Sequence, residues 1–197
     1  MKITISWLQE KNACPDGIEW FREKYPEQLE GVGYQSILDD LAKENKQAWA
    51  EWLMSKAGST NTTLEIAENL TLEHSLFFAG SIKVSNNLSV SGSVKAGGHV
   101  TAGGSVKAGW DVTAGWDVTA GGSVKAGWDV TAGGSVKAGG SVKAGGHVTA
   151  GGSVKAGGDY GIYVGLSVRI SLKSKYAIVY SKTKPSNLIL GKWQETK

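Results

Sequence analysis

From Leu64 onward an apolar residue returns at every sixth position: Leu64, Leu70, Leu76, Ile82 and Leu88, then valines from Val94 to Val154, then Tyr160, Leu166, Leu172 and Ile178. Twenty hexads share this register without an insertion. The residue two places on is apolar as well: Ile66, Leu72, Phe78, Val84, Val90, Ala96 and then a run of alanines. Two inward residues around one outward residue, followed by three corner residues, make a short strand and a turn. Strands this short find no partner within their own coil, so they stack on the next coil, ~4.8 Å away. Three hexads, about 18 residues, close a coil of the triangular kind. The expected fold is therefore mainly β: a triangular parallel β-solenoid over residues 62–181, preceded by a small α-helical domain over residues 1–57 and closed by a capping tail over 182–197. Glycine supplies 28 of the 197 residues and proline only three, which fits recurring corners rather than disorder. The Gly-Gly pairs are expected to use backbone angles closed to other residues.

Ile66-Ala67, Val84-Ser85 and Ala96-Gly97 each close a hexad on an inward aliphatic residue followed by a small one, with another inward residue two earlier. In this the chain resembles the hexapeptide-repeat β-solenoids. It departs from their pattern in the middle, where the larger inward residue comes first and the second is only Ala, which implies a slim core and leaves the handedness open. Short N-terminal helices followed by such hexads also resemble uncharacterised bacterial and prophage-borne proteins. The resemblance implies no catalytic residue.

Ahead of the hexads, Ser6-Trp-Leu-Gln9 and Asp16-Gly-Ile-Glu19 read as capping boxes, predicting short helices over about residues 7–11 and 17–25. Pro26 stops the second. Ile37, Leu38, Leu41, Ala48, Trp49, Trp52 and Leu53 share one face of a longer helix expected over residues 35–56, with Gly58 as its C-cap. Trp7, Trp20, Trp49 and Trp52 are expected to form the core of this bundle, and the bundle to cap the open end of the solenoid. Cys14, the one cysteine, is expected to be a small buried residue. The charge is uneven. Residues 1–57 carry seven Lys/Arg against ten Asp/Glu, about −3, and residues 58–197 carry fourteen against eight, about +6. The second module should attract anions. With no long apolar run and no signal-peptide core at Met1, a soluble cytoplasmic protein is expected.

Sorted by coil, the edits to the hexad fall in columns. Lys107, Lys125 and Lys143 make a vertical line on one face, extended on the neighbouring face by Lys137 and Lys155. Trp110 and Trp128 lie 18 positions apart on one corner, and Trp116 on the next, where the pattern elsewhere has Gly. Asp111, Asp117 and Asp129 follow them. Exposed tryptophans mark interfaces, so these nine residues (the three Lys of the line, the three Trp and the three Asp) are the candidate binding site. Solubility of a β surface is the plainer role for the lysines, and cover for a corner the plainer role for the Trp rings. Thr113, Thr131 and Thr149 form a ladder too short for an ice-binding face.

The chain lacks a Cys/His metal cluster, a Walker loop and a nucleophile elbow. His99 and His147 sit inside regular hexads, unlike the loop-flanked catalytic histidines of hexapeptide-repeat acyltransferases. No catalytic residue, metal or cofactor is expected. The reading is a non-enzymatic binding protein: a rigid solenoid presenting its Trp/Asp corner and Lys line to a protein partner, with nucleic acid as a further partner of the Lys face and no membrane. The prophage resemblance extends it to an inhibitor of host nucleic-acid-handling defence machinery. The alternatives are a scaffold that forms homodimers through the Trp corners and, behind it, an acyltransferase-like enzyme.

Overall fold

The computed structural model describes residues 1–27, 30–157, 162–164, 170–172, 178–181, 184 and 192–195. The chain divides into two compact units, Met1–Gly58 and Ser59–Lys197.

In the first unit, β1 (Lys2–Ile3) pairs antiparallel with β2 (Val32–Gly33), and four helices follow the chain: α1 (Ile5–Glu10), α2 (Pro15–Lys24), α3 (Tyr34–Lys43) and α4 (Gln47–Ala57). Gly31 adopts φ 88°, and a Cβ there would press on the Ile3 carbonyl oxygen at 2.7 Å, so only glycine lets the chain cross β1. Neither Ser6 nor Asp16 is an N-cap, so the expected capping boxes do not form. Thr4 caps α1, its Oγ1 accepting the Trp7 N–H at 3.1 Å, and Ser6 lies inside the helix. α2 starts on Pro15, whose missing N–H costs nothing at a first helical position. Asp16 lies in that first turn, where a carboxylate favours the positive end of the helix dipole.

The single helix expected over 35–56 is broken in two. Glu44 ends α3 and Asn45 turns left-handed at φ 54°. The Asn45 N–H then reaches Ala42 O and the Lys46 N–H reaches Leu41 O at 2.9 Å, a pairing that satisfies the last carbonyls of α3. Asn12, at φ 59°, closes α1 in the same way. Gly58 is the C-cap of α4, as its position suggested.

The second unit is a parallel β-solenoid of about 18 residues per coil. Three-residue strands form three parallel sheets, one per side. One runs through Leu70–Leu72, Leu88–Val90, Val106–Ala108, Val124–Ala126 and Val142–Ala144; the next through Leu76–Phe78, Val94–Ala96, Val112–Ala114, Val130–Ala132 and Val148–Ala150. The third runs through Thr63–Ile66, Ser81–Val84, Val100–Ala102, Val118–Ala120, Val136–Ala138 and Val154–Lys155. Within each, residues 18 apart pair: Val106 with Val124, Val112 with Val130, Val118 with Val136. Valines from Val94 to Val154 are fully buried and the alanines nearly so, a core only one Val and one Ala deep per strand.

The register does not run unbroken to Ile178. After Val154 the pairings become Val142 with Ile162, Val148 with Ile170 and Val154 with Val179, so the later coils hold extra residues. Leu172 pairs with Ala150 and so occupies the closing position of its strand, not the opening one. The Val-x-Ala triplet and its glycine corners stop near Gly157, and in an aliphatic-rich tail a step of six meets an apolar residue by chance. Tyr160 and Leu166 lie outside the described residues. A further strand, Lys192–Glu195, pairs with Ile178–Ser181, and Trp193 packs half-buried against the core, so part of the expected tail extends a sheet. Leu188 to Leu190, expected to cover the last coil, and Pro185, expected to end the regular strands, lie outside the described residues.

The corner glycines serve a different purpose from the one expected. Among the described residues, positive φ at glycine occurs only at Gly31 and Gly58, both in the first unit. At Gly121, Gly127 and Gly133 an added Cβ would instead strike the carbonyl oxygen of the residue one coil earlier, Gly103, Gly109 and Gly115. Close stacking of coils, not unusual backbone angle, excludes a side chain there.

Candidate functional site

The corner itself is a hydrogen-bonded ladder. The residue before each inward Val sends its side chain to the backbone N–H one coil later. On one corner the N–H of Asp111 donates to Ser93 Oγ (3.3 Å), that of Asp129 to Asp111 Oδ1 (3.0 Å) and that of His147 to Asp129 Oδ1 (2.6 Å). On the next, the Asp117 N–H reaches His99 Nδ1 at 3.3 Å and the Ser135 N–H reaches Asp117 Oδ1 at 2.6 Å. The third corner is built from Asn69, Asn87, Ser105 and Ser123, the last accepting from Ser141. Short polar side chains are required at this position because they alone reach a neighbouring N–H that the strand ladder leaves over. Asp111, Asp117 and Asp129 therefore hold coils together with one oxygen each. His99 and His147 belong to the same ladder, and Asp129 also meets His147 Nδ1 at 3.3 Å.

The residue before each of these acids is where the tryptophans stand. The column Gly92, Trp110, Trp128, Gly146 is knit by backbone bonds from the Trp110 N–H to Gly92 O and from the Trp128 N–H to Trp110 O, both 3.1 Å. Trp116 stands in the column of Gly98, Gly134 and Gly152, its ring over the His99 imidazole with centroids 6.0 Å apart and planes tilted by 31°. Trp110, Trp116 and Trp128 are 49%, 62% and 67% exposed.

On the flat faces the Lys line is continuous. Lys107 pairs in register with Lys125, and Lys125 with Lys143. Lys137 sits beside Lys155 on the third sheet and Thr119 beside Lys137. Thr113, Thr131 and Thr149 are likewise adjacent. The structure thus brings the nine candidate residues into two sets: the Trp and Asp residues along two corners, and the lysines along one face.

The four tryptophans of the first unit do not close its core. Each is half-buried, and Trp20, Trp49 and Trp52 line a cleft of about 340 Å³ together with Phe21, Leu41 and Leu53. Trp20 meets Trp49 edge-on at 6.0 Å, and Trp7 meets Trp52 at 6.4 Å. Trp20 Nε1 donates to Glu44 Oε2 at 2.7 Å, and Lys24 donates to the other oxygen at 2.8 Å. These bonds, the Lys24 bond foremost, hold the Glu44 carboxyl below its usual range. Cys14 lies at the cleft and is exposed, not buried as expected; it is the N-cap residue, ahead of the first turn of α2. Sequence reasoning missed the cleft: four Trp in a small bundle give the same composition whether they fill it or wall it.

Among the described residues no group of three or more His, Cys, Asp or Glu could hold a metal ion, and no helix is long and apolar enough to cross a membrane. Compared with known proteins, residues 1–61 match the family model described as the YdhT N-terminal domain. No curated protein and no solved structure matches the chain.

Proposed function

We propose that this chain is a non-enzymatic binding protein whose solenoid presents Trp110, Trp116 and Trp128 to a macromolecular partner, with Lys107, Lys125 and Lys143 as a flanking basic face. The observation that carries this reading is the exposure of three indoles in columns that hold glycine at Gly92 and Gly146 and at Gly98, Gly134 and Gly152. Folding gains nothing from a Trp where Gly suffices, and exposing large apolar rings has a solubility cost. Buried against a partner, such rings are the residue type that carries most binding energy. Asp111, Asp117 and Asp129 act beneath them as the ladder that fixes the corner.

The Lys face suits a partner that itself handles nucleic acid. An inhibitor of host defence machinery carried by a phage or prophage is the specific role proposed on that ground and on the repeat-protein resemblance. The test replaces Trp110, Trp116 and Trp128 by Gly, the residue their own columns already accept. Affinity capture from a bacterial lysate should recover a protein with the wild-type chain and lose it with the triple variant, at unchanged melting temperature. Equal capture by both chains would refute the Trp site. The same rings could meet in a second copy of the chain. In that case light scattering would give twice the chain mass for wild type and a monomer for the variant.

A further inference from the structure

We propose that the tryptophan-walled cleft of the first unit is a second docking site, one that takes a basic segment of a partner protein and buries a bulky apolar side chain of it. The site is independent of the solenoid corners and shares no residue with them.

An unfilled cleft of about 340 Å³ is a poor use of apolar residues in a unit of 58. Domains this small need nearly all the burial they can reach, and interiors ordinarily pack without such voids. The walls are aromatic and aliphatic, Trp20, Phe21, Leu41, Trp49, Trp52 and Leu53, while Asn12 and Cys14 are the polar side chains besides the indole N–H groups. Of those, Trp20 Nε1 is already committed to Glu44. So few polar groups give a small polar ligand little to be oriented by. A Leu-sized or aromatic anchor on a larger partner requires only apolar contact and shape.

The charge of the partner follows from the frame of the cleft. Residues 1–57 hold ten acids against seven bases, and Asp16, Glu19 and Glu23 lie exposed on α2, the helix that supplies Gly17, Trp20 and Phe21 to the wall, against Arg22 and a Lys24 already paired with Glu44. At the edge, Lys46 Nζ sits 4.2 Å from the centroid of the Trp49 ring, so an indole of this cleft already holds a cation against its face. An amphipathic helix with Lys or Arg beside an apolar stripe matches both properties, in the helix-in-groove manner.

The test uses the full-length chain and two fluorescein-labelled peptides with the same leucine stripe, one with lysines on its polar face and one with glutamates, titrated by anisotropy. The lysine peptide should bind and weaken as salt rises. Two plugs should each reduce its affinity at least about tenfold: Ala13→Trp, which fills the cleft, and alkylation of the single Cys14 with a bulky maleimide. The Trp110→Gly/Trp128→Gly variant should bind the peptide as wild type does, which separates this site from the solenoid reading. No binding of the lysine peptide, equal binding of the glutamate peptide, or undiminished binding to both plugged proteins of native melting temperature would each overturn the proposal.

Discussion

At a corner such as Ala126-Gly127-Trp128, two adjacent positions obey opposite rules. A Cβ on Gly127 would strike the Gly109 carbonyl oxygen of the coil before, while the next position carries an indole without disturbing the backbone bond to Trp110. Gly127→Ala should therefore cost about 1–3 kcal/mol through forced separation of coils. A Cβ on Gly146 would press instead on the Asp129 carboxylate, a side chain that can turn aside where a carbonyl cannot, so Gly146→Ala, in the column that already holds two tryptophans, should cost less. Chemical denaturation of the two variants reads the difference; equal losses would mean that the first glycine is not set by stacking. One residue further on, Asp129 is both a candidate binder and a rung of the ladder. Asp129→Ala leaves the His147 N–H without its acceptor and should lower stability by about 1–2 kcal/mol, whereas Asp129→Ser supplies an oxygen of the kind used on the equivalent rungs and should keep most of it. If the Asp129→Ser variant failed in partner capture with its stability intact, the carboxylate would have a binding role beyond the ladder. This double duty could not be read from the sequence, because an exposed acid beside a Trp and a rung acceptor are written with the same letter.

Among the elements, the strands were legible and the helix ends were not. Val and Ala alternate with outward residues so regularly that each strand follows from period alone. In the first unit the stop between α3 and α4 is written Lys43-Glu-Asn-Lys46, a polar run with neither Gly nor Pro. The readable signal was Asn45, the residue after glycine that best tolerates a left-handed turn, and Asn12 repeats it after α1. Two tyrosines then tie the elements together. Tyr25, at the end of α2, donates to Asp40 Oδ2 of α3 at 2.7 Å, and Tyr34, opening α3, donates to the Gly58 carbonyl after α4 at 3.1 Å. Burial first, and for Tyr25 the Asp40 bond next, raises both hydroxyls above their ordinary value of 10, Tyr34 to about 12. A raised acid pKa favours the native state fully below the unfolded value, and that contribution fades as pH climbs past it. The helical unit should thus lose stability from about pH 10 upward, with a tyrosinate absorbance step accompanying loss of helical circular dichroism. Tyr25→Phe/Tyr34→Phe should remove the step and move helix loss to higher pH; an unaltered profile would place the alkaline weak point elsewhere.

For the molecule as a whole, composition by module was informative where periodicity gave out. The step of six still met apolar residues beyond Val154, yet Val154 pairs with Val179, so period without the small corner residues does not hold a register. Charge, by contrast, survives any such slip: residues 58–197 carry fourteen bases against eight acids wherever each strand ends. Most of that excess falls after residue 157, seven bases against two acids, whereas residues 58–157 carry seven lysines against six acids; three of those lysines, Lys107, Lys125 and Lys143, are nonetheless neighbours in register, one coil apart. At ~4.8 Å their mutual repulsion lies well inside a Debye length, so dissolved salt relieves it only in part. A polyanion laid along the line would relieve it and release its own counterions in doing so. The full-length protein should be retained on heparin or on duplex DNA at low salt, with log K falling linearly in log salt. Changing the three lysines to Gln should reduce the steepness of that fall by ~0.9 for each phosphate left unneutralised. Lys83→Gln is the control, because Lys83 already faces Glu65 at 3.3 Å one coil below. A slope that the triple variant leaves unchanged would reduce the Lys line to a solubilising surface, and the nucleic-acid part of the proposed function would fall with it while the tryptophan corner stood.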